Sequence, residues 1–186
     1  MNTNKERITL VISAYPASGK TYLYKNYKGT NLQGDDLIIL DSDSTKFSWI
    51  YEDGVRTSQK NPNFIQDYIQ HIKENIGKVD IIFVSSHKEV RQALRDNNIK
   101  YFIVHPVLDM KDIIIDRMIQ RGNDEKFIEF QKEHFEEFIE EIISELNGDN
   151  GFPIVLTKDR PYLSLDDIVS MLNIDIPSAL AVKWWN

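Results

Sequence analysis

Five short apolar runs alternate with helix-like stretches along this chain, and this alternation constrains its fold more than any other feature of the sequence. The apolar runs are rich in β-branched residues, as buried strands are, and they cover residues 8–15, 37–44, 79–86, 100–107 and 152–157. The helix-like stretches cover residues 19–28, 61–77, 88–98, 109–122, 124–146 and 164–173. Because strands that alternate with helices pair in parallel through right-handed crossovers, we predict an α/β fold with a five-stranded parallel sheet flanked by helices.

Composition narrows the class of protein. The chain has 186 residues, of which 41% are hydrophobic and 27% charged, and this suits one globular domain, residues 1–186, with a substantial core. The net charge of -7 argues against extended nucleic acid as a partner, because phosphate backbones bind to basic surfaces. The chain has no cysteine, which excludes disulfides, thiolate metal sites and cysteine nucleophiles.

The two ends of the chain carry signals of location and assembly. No apolar run approaches the roughly 18 residues of a membrane span, and the opening MNTNKER lacks the apolar segment of a secretory signal. We therefore expect a cytoplasmic protein with no membrane partner. The last stretch, 174–186, is apolar and includes adjacent Trp184 and Trp185. It either caps the domain or joins a homodimer interface.

The junction between the first predicted strand and the first helix contains most of a phosphate-binding signature. The usual pattern is Gly, four residues, Gly-Lys and then Ser or Thr, and here Ala14 takes the first position while Gly19, Lys20 and Thr21 complete the pattern. An ordinary strand–turn–helix junction is the structural alternative. Because the segment lies between a buried strand and a helix, we instead predict a nucleotide-binding loop.

In such a loop, backbone N–H groups surround the phosphates. Lys20 would reach the β- and γ-phosphates of ATP, and the Thr21 hydroxyl would ligate Mg²⁺. The residues predicted to contact the nucleotide are Pro16, Ala17, Ser18, Gly19, Lys20, Thr21 and Tyr22.

An acidic pair, Asp41 and Asp43, ends the second predicted strand. Period-two spacing puts both carboxylates on one side of the strand tip, and ligands of parallel α/β sheets bind beyond the carboxyl ends of the strands. One carboxylate would hold Mg²⁺, and the other would orient an acceptor or accept its proton. A simple strand-ending turn is the alternative.

With these two motifs the sequence resembles the P-loop small-molecule and nucleotide kinases, which include shikimate kinases, zeta-toxin-like kinases and polynucleotide 5′-hydroxyl kinases. It is also similar, over most of its length, to bacteriophage-borne P-loop proteins usually labelled ATPase or nucleotide kinase. The stretches that carry this similarity are DSDSTKFSW, NPNFIQDYIQHIK, VSSHKEVRQAL and RGNDEKFI. Adenylate-kinase-like proteins differ, because they place their acidic residue after a later strand, where this chain has Ser85-Ser86-His87.

The resemblance implies a three-layer P-loop NTPase fold, ATP and Mg²⁺ as cofactors, and roles for particular residues. Asp41 would serve the metal and Asp43 the acceptor, although the two roles are exchangeable. The kinases named above clamp the transferring phosphoryl group with arginines from a lid, which here would be residues 117–126. Arg117 and Arg121 lie four residues apart, hence on one helical face, and Arg121 is the stronger candidate. Incidental ion pairs are the alternative for both.

Three further segments contain candidate binding residues. The 20 residues 44–63 form a long loop, which is uncommon unless functional, and its Lys46, Trp49 and Arg56 would contact a nucleotide acceptor; a plain surface excursion is the alternative. After the third strand, His87 and Arg91 would contact the acceptor, although a lone histidine is more often structural. The resemblance implies that the loop after the fifth strand packs on the adenine, with contacts from Lys158, Asp159 and Arg160.

Together these features predict a Mg²⁺-ATP-dependent phosphotransferase. The expected partner is a small-molecule phosphoryl acceptor, with a nucleotide or nucleoside monophosphate first among the choices. One alternative is a kinase for a hydroxyl on a nucleic acid end, a modified base or a sugar nucleotide. A second alternative, from another class, is a non-catalytic ATP-dependent switch or partner-binding ATPase.

Overall fold

The computed structural model of the protein describes residues 7–31, 34–146, 151–164 and 166–168. Within these ranges seven strands and seven α-helices follow one another along the chain. In chain order they are β1 (Leu10–Ala14), α1 (Lys20–Asn26), β2 (Ile39–Asp41), α2 (Thr45–Ser48), β3 (Trp49–Glu52), β4 (Val55–Lys60), α3 (Phe64–Asn75), β5 (Ile81–Ser85), α4 (Lys88–Asp96), β6 (Tyr101–Pro106), α5 (Lys111–Gln120), α6 (Glu125–Glu133), α7 (Phe135–Glu145) and β7 (Gly151–Leu156). A short 3₁₀ turn, Leu108–Met110, precedes α5.

Five of the strands form one parallel sheet in the order β2-β5-β1-β6-β7. β1 lies at its centre and pairs with β5 and with β6, so that Leu10 is opposite Ile81 and Ile12 is opposite Phe102. The prediction of an α/β fold with a five-stranded parallel sheet flanked by helices is confirmed. The chain leaves β1 for one edge of the sheet, returns through β5, crosses to β6 and continues to the other edge. The direction of winding therefore reverses beside β1.

The core forms where the sheet meets the apolar faces of its helices. All five residues of β1 are buried, as continuous aliphatic strands are when both sheet faces are covered. In α3 the buried positions are Tyr68, Ile69 and Ile72, which share one face because helical residues three and four apart lie together. Just beyond α3, Gly77 has a φ of 83°, a left-handed conformation that favours glycine after a helix.

The prediction of a structureless loop over residues 44–63 is wrong. The segment contains α2 and an antiparallel hairpin of β3 and β4. At the hairpin turn, Asp53 and Gly54 have φ values of 49° and 80°. This Asp-Gly pair is the local sequence signal of a two-residue hairpin turn, and the length-based interpretation of the segment did not use it.

The prediction of one continuous helix over residues 124–146 is also wrong. α6 ends at Glu133 and α7 begins at Phe135, with His134 at φ -101° and ψ 11° between them. The break lets α7 bury Phe135 completely, and the Phe135 ring packs edge-on against Tyr15 at 5.7 Å between ring centroids.

Two sequence predictions fall near the end of the chain. Residues 166–168 are helical, and Ser164 caps them: its Oγ accepts the backbone N–H of Asp167 at 3.3 Å, and its own backbone N–H donates to Asp167 Oδ2 at 2.8 Å. The rest of the predicted last helix, 169–173, and the apolar tail 174–186 lie outside the described residues. In the part of the chain that the structure describes, no helix is both long and apolar enough to cross a membrane.

Candidate functional site

A large cleft, of about 1230 Å³, opens at the edge of the sheet where the parallel strands end. β1, β2 and β5 end at Ala14, Asp41 and Ser85, and all three residues line the cleft. The position beside β1 is the point at which the winding of the sheet reverses, and in open α/β sheets such a switch point is where ligands bind.

The loop after β1, residues 14–21, forms one wall of this cleft, and we refer to it as the Gly-Lys-Thr loop. Two of its residues have left-handed backbones: Ala17 at φ 60° and Gly19 at φ 110°. A non-glycine residue in this region is uncommon, and such strain clusters at functional sites. A Cβ on Gly19 would make only an ordinary contact, 3.5 Å from Leu163 O, so the left-handed backbone is what favours glycine there.

Lys20 is the cation at the centre of the loop. Its Nζ donates a hydrogen bond to the carbonyl oxygen of Ala14. Burial lowers the pKa of Lys20 to about 8; the carboxylates of Asp41 and Asp43 oppose this shift, and Arg121 adds to it. These four charged groups therefore interact in one part of the cleft. An anion bound there would lie near two positive charges, those of Lys20 and Arg121.

Thr21 and Asp41 provide the predicted metal ligands. Thr21 Oγ1 lies 3.4 Å from Asp41 Oδ2, so a hydroxyl and a carboxylate oxygen face each other across the junction of α1 and β2. Magnesium takes few protein ligands and completes its shell with water and phosphate oxygens, and this pair fits that requirement. Among the described residues no group of three or more His, Asp or Glu is placed to hold a metal by itself.

Asp43 lines the same cleft but has a local partner. Its Oδ1 accepts hydrogen bonds from the backbone N–H and the hydroxyl of Thr45, at 3.0 and 2.8 Å. This turn fixes the carboxylate beside α2. A carboxylate held in position is suited to orient an acceptor group or take its proton.

Tyr68 ties together the two strand ends that flank this region. Its hydroxyl donates to Ser42 O at 2.7 Å and accepts from the backbone N–H of Ser85 at 3.1 Å. Burial raises the pKa of Tyr68 to about 12, so the phenol stays protonated and keeps both bonds. Tyr68 thus links the Asp41–Asp43 segment to the Ser85–His87 segment, in addition to the direct pairing of β2 with β5. Sequence reasoning did not identify this residue.

The two arginines of the predicted lid have different environments. Arg117 donates to Pro161 O at 2.7 Å and to Ala17 O at 3.5 Å, and its guanidinium lies 3.7 Å from the centre of the Tyr162 ring. It therefore braces the Gly-Lys-Thr loop. Arg121 is an exposed cleft residue that makes no ion pair within the described ranges.

His87 stands at the end of β5, on the rim of the cleft. Ser85 Oγ lies 2.9 Å from His87 Nδ1 and accepts the His87 backbone N–H at 3.3 Å. Desolvation lowers the pKa of His87, with Lys20 and Arg91 adding to that effect against the charge of Glu89.

Three buried polar atoms along the cleft make no hydrogen bond within the described residues. They are Ser18 Oγ, Ser42 Oγ and Asn123 Oδ1. Buried polar groups normally have a hydrogen-bond partner, and a water or a ligand in the cleft would supply one. Their grouping around a single cleft separates it from the other concavities of the described chain.

Several predicted binding residues do not reach the cleft. Lys46, Trp49 and Arg56 lie outside its lining; Arg56 stacks on Trp49 at 4.8 Å instead. Trp49 and Arg56 belong to the hairpin of β3 and β4, whereas Lys46 lies on α2. Lys158 pairs with Asp109 at 3.1 Å, and neither it nor Asp159 lines the cleft.

Arg91 lines the cleft, but its guanidinium forms ion pairs within the protein. It is buried and pairs with Glu141 and Glu145 at 2.8 Å each. A further N–H donates to Ser86 O. Its role in the structure is to join α4 to α7, and four of its five N–H donors form hydrogen bonds within the protein.

One part of the cleft was missed altogether by sequence reasoning. Phe127, Phe130 and Phe138, from α6 and α7, line the side of the cleft, and we call them the aromatic wall. The spacing of these phenylalanines along the chain was the available signal. It was not used because the acidic density of this region indicated a solvated face.

Comparison with protein-family models and with curated proteins gives no match for this chain. The case for its function therefore rests on the geometry of the cleft.

Proposed function

We propose that the protein is a Mg²⁺-ATP-dependent phosphotransferase of the P-loop kinase class. The observation that carries the proposal is the convergence of Lys20, Arg121 and the Thr21–Asp41 pair in one cleft beside the switch point of the sheet. Two cations and a site for a divalent metal are what a triphosphate requires. The resemblance of the sequence to P-loop kinases is in agreement with this proposal.

Each group has a role in the proposed reaction. Lys20 would bind the β- and γ-phosphates, and Thr21 with Asp41 would hold the metal, which supplies charge neutralisation when bound. Arg121 would stabilise the charge of the transferring phosphoryl group, and Arg117 would keep the loop in shape. Such chemistry depends on positioning and electrostatic stabilisation more than on covalent participation by the protein.

The acceptor side of the proposed reaction includes Asp43 and His87. Both line the same cleft as the Thr21–Asp41 pair. The carboxylate of Asp43 would orient the acceptor and take its proton. A nucleotide or nucleoside monophosphate is the acceptor that the sequence favours first, and a hydroxyl-bearing molecule is the alternative.

Calorimetry with ATP and Mg²⁺ tests the first half of the proposal. The wild type should bind ATP, and Lys20→Ala should weaken that binding strongly while far-ultraviolet circular dichroism stays unchanged. Lys25→Ala, on the exposed face of the same helix, is the matched control and should bind like the wild type. Absence of binding to the wild type would end the kinase proposal.

Incubation with γ-labelled ATP and a panel of acceptors tests the second half. Label should move to an acceptor in a Mg²⁺-dependent manner, and Lys20→Ala should abolish the transfer. ATP hydrolysis without transfer to any nucleotide, sugar nucleotide or 5′-hydroxyl oligomer would instead favour a switch or partner-binding ATPase.

A further inference from the structure

The cleft extends from the Gly-Lys-Thr loop to the aromatic wall. Phe130 and Phe138 lie 5.6 Å apart between ring centroids, and Phe130 remains 49% exposed. Tyr22 and Tyr162, also on the cleft, are exposed too. Aromatic surface left open inside a cleft is a platform on which a planar ring can stack.

The aromatic wall is connected to the Gly-Lys-Thr loop. Gln131, next to Phe130 on α6, accepts a hydrogen bond from the Tyr15 hydroxyl of the Gly-Lys-Thr loop at 2.9 Å. On the other side, Glu141 lies one helical turn after Phe138 and pairs with Lys88 at 3.3 Å. A ligand on the wall would therefore reach both the loop and the beginning of α4.

At the end of the cleft beside the aromatic wall, positively and negatively charged side chains pair with one another. The cations that line it are Lys88 and Arg91, and both are paired with Glu141. Glu89 lines the same region and adds a negative charge. A phosphate on the acceptor would find no unpaired cation there among the described residues. The two cations nearer β1, Lys20 and Arg121, are those that ATP itself requires.

We propose that the phosphoryl acceptor is a nucleoside or a molecule built like one, with a planar aromatic ring on the aromatic wall, a free hydroxyl and no phosphate. This inference rests on the proposed function and selects the hydroxyl acceptor over the monophosphate. In the transfer step the acceptor hydroxyl oxygen bonds to the γ-phosphorus of ATP while the bond from that phosphorus to the β,γ-bridging oxygen breaks. ADP leaves, and the hydroxyl proton passes to the Asp43 carboxylate.

The test compares acceptors under one set of conditions with γ-labelled ATP. The panel is adenosine, guanosine, cytidine and thymidine, their 5′-monophosphates, and glycerol as a hydroxyl acceptor without a ring. At least one nucleoside should be phosphorylated with a kcat/KM about tenfold or more above that of its monophosphate and of glycerol. Against glycerol, that is the size of effect that loss of a stacked ring produces. The monophosphate keeps the ring and is disfavoured because Lys88 and Arg91 at this end of the cleft already pair with Glu141.

Variants of the wall make the test specific. Phe130→Ala should raise the KM for the nucleoside about tenfold and leave the Kd for ATP unchanged. Phe130→Leu, which keeps the apolar volume without the ring, should do the same and guards against a folding defect. Phe152→Ala, at an exposed phenylalanine of β7 outside the cleft, is the matched control and should behave like the wild type.

Failure of this inference can be told apart from failure of the proposed function. If ATP binds and monophosphates or glycerol are phosphorylated as well as nucleosides, with both Phe130 variants unaffected, the inference is overturned and the kinase function stands. If calorimetry shows no binding of ATP to the wild type, both are overturned.

Discussion

Lys20 Nζ donates a hydrogen bond to the carbonyl oxygen of Ala14, the residue that stands in place of the first glycine of the loop signature. The ammonium group thus folds back over the Gly-Lys-Thr loop and rests on the end of β1. Ala14 belongs to that strand and is buried, so its methyl group faces the core while its carbonyl remains available to Lys20. The missing glycine leaves this arrangement intact.

The buried charge of Lys20 makes the stability of the protein depend on pH. Burial lowers the pKa of Lys20 from its ordinary value of 10.5 to about 8. Below pH 8 the amine is protonated in both the folded and unfolded chain, so the cost of burying the charge is fully present. Lys20→Met should therefore have a higher free energy of unfolding than the wild type at pH 7, measured by urea titration.

That advantage should shrink as pH rises. Between pH 8 and 10.5, the two values above, the unfolded wild type binds more protons than the folded form, so wild-type stability increases with pH through this group. Lys25→Met, on the exposed side of α1, is the matched control for loss of a lysine from this helix. A constant difference between Lys20→Met and the wild type from pH 7 to 10 would contradict the prediction.

Substitution of Asp41 and substitution of Asp43 should impair different steps of the proposed reaction. Asp41→Asn should weaken Mg²⁺-dependent ATP binding, because a neutral amide is a poorer magnesium ligand than a carboxylate. Asp43→Asn should spare ATP affinity yet slow phosphoryl transfer by roughly 10²-fold or more, as loss of a general base does. Asparagine still accepts hydrogen bonds from Thr45, so the turn should remain folded. Equal and mild effects in calorimetry and transfer assays would show that the pair is only a strand-ending turn.

Substitution of Arg121 should reduce activity, whereas substitution of Arg117 should reduce stability. Arg121→Ala should reduce transfer on the order of 10²–10³-fold, as loss of one electrostatic stabiliser does, without changing the melting temperature. Arg117→Ala should lower the free energy of unfolding by about 1–3 kcal/mol, because it leaves the Pro161 carbonyl unpaired. Thermal melts and transfer rates of the two variants side by side provide the measurement. A reversed pattern would assign the brace to Arg121.

Arg91 should behave as a structural residue. Arg91→Ala leaves the carboxylates of Glu141 and Glu145 without their buried partner and should cost about 3–5 kcal/mol of unfolding free energy. Arg95→Ala, which removes a more exposed partner of Glu145, is the control and should cost less. Urea titration of both variants provides the comparison. If Arg91→Ala left stability unchanged but raised the KM for the acceptor, Arg91 would be a binding residue after all.

Much of the fold could be predicted because its signals are local. The apolar runs that become β1, β5 and β6 are short, β-branched and bounded by turns, so each identifies a buried strand by itself. The Gly-Lys-Thr pattern and the Asp41–Asp43 pair follow such strands directly. Once the strands are parallel, their carboxyl ends must share one edge, and the sequence alone brings these motifs to the same cleft.

The remainder depended on contacts between distant segments. The hairpin of β3 and β4 has few buried residues, so no apolar pattern separated it from a loop, and only its Asp53-Gly54 turn gave a signal. Nothing near Tyr68 in the sequence indicates that its hydroxyl joins Ser42 to Ser85. The fate of Arg91 likewise depended on two glutamates about 50 residues further along the chain.

The sequence by itself therefore determined the parallel sheet and the positions of Lys20, Thr21, Asp41 and Asp43 at its edge, because periodicity and strand direction are properties of local stretches. Only the tertiary structure decided which cations are free and where an acceptor can lie. A cation is available to a ligand when no carboxylate packs against it, and packing brings together helices that are far apart in sequence. In this way Arg91, a predicted binding residue, pairs with Glu145 instead, and the packing of α6 and α7 brings Phe130 and Phe138 to the cleft.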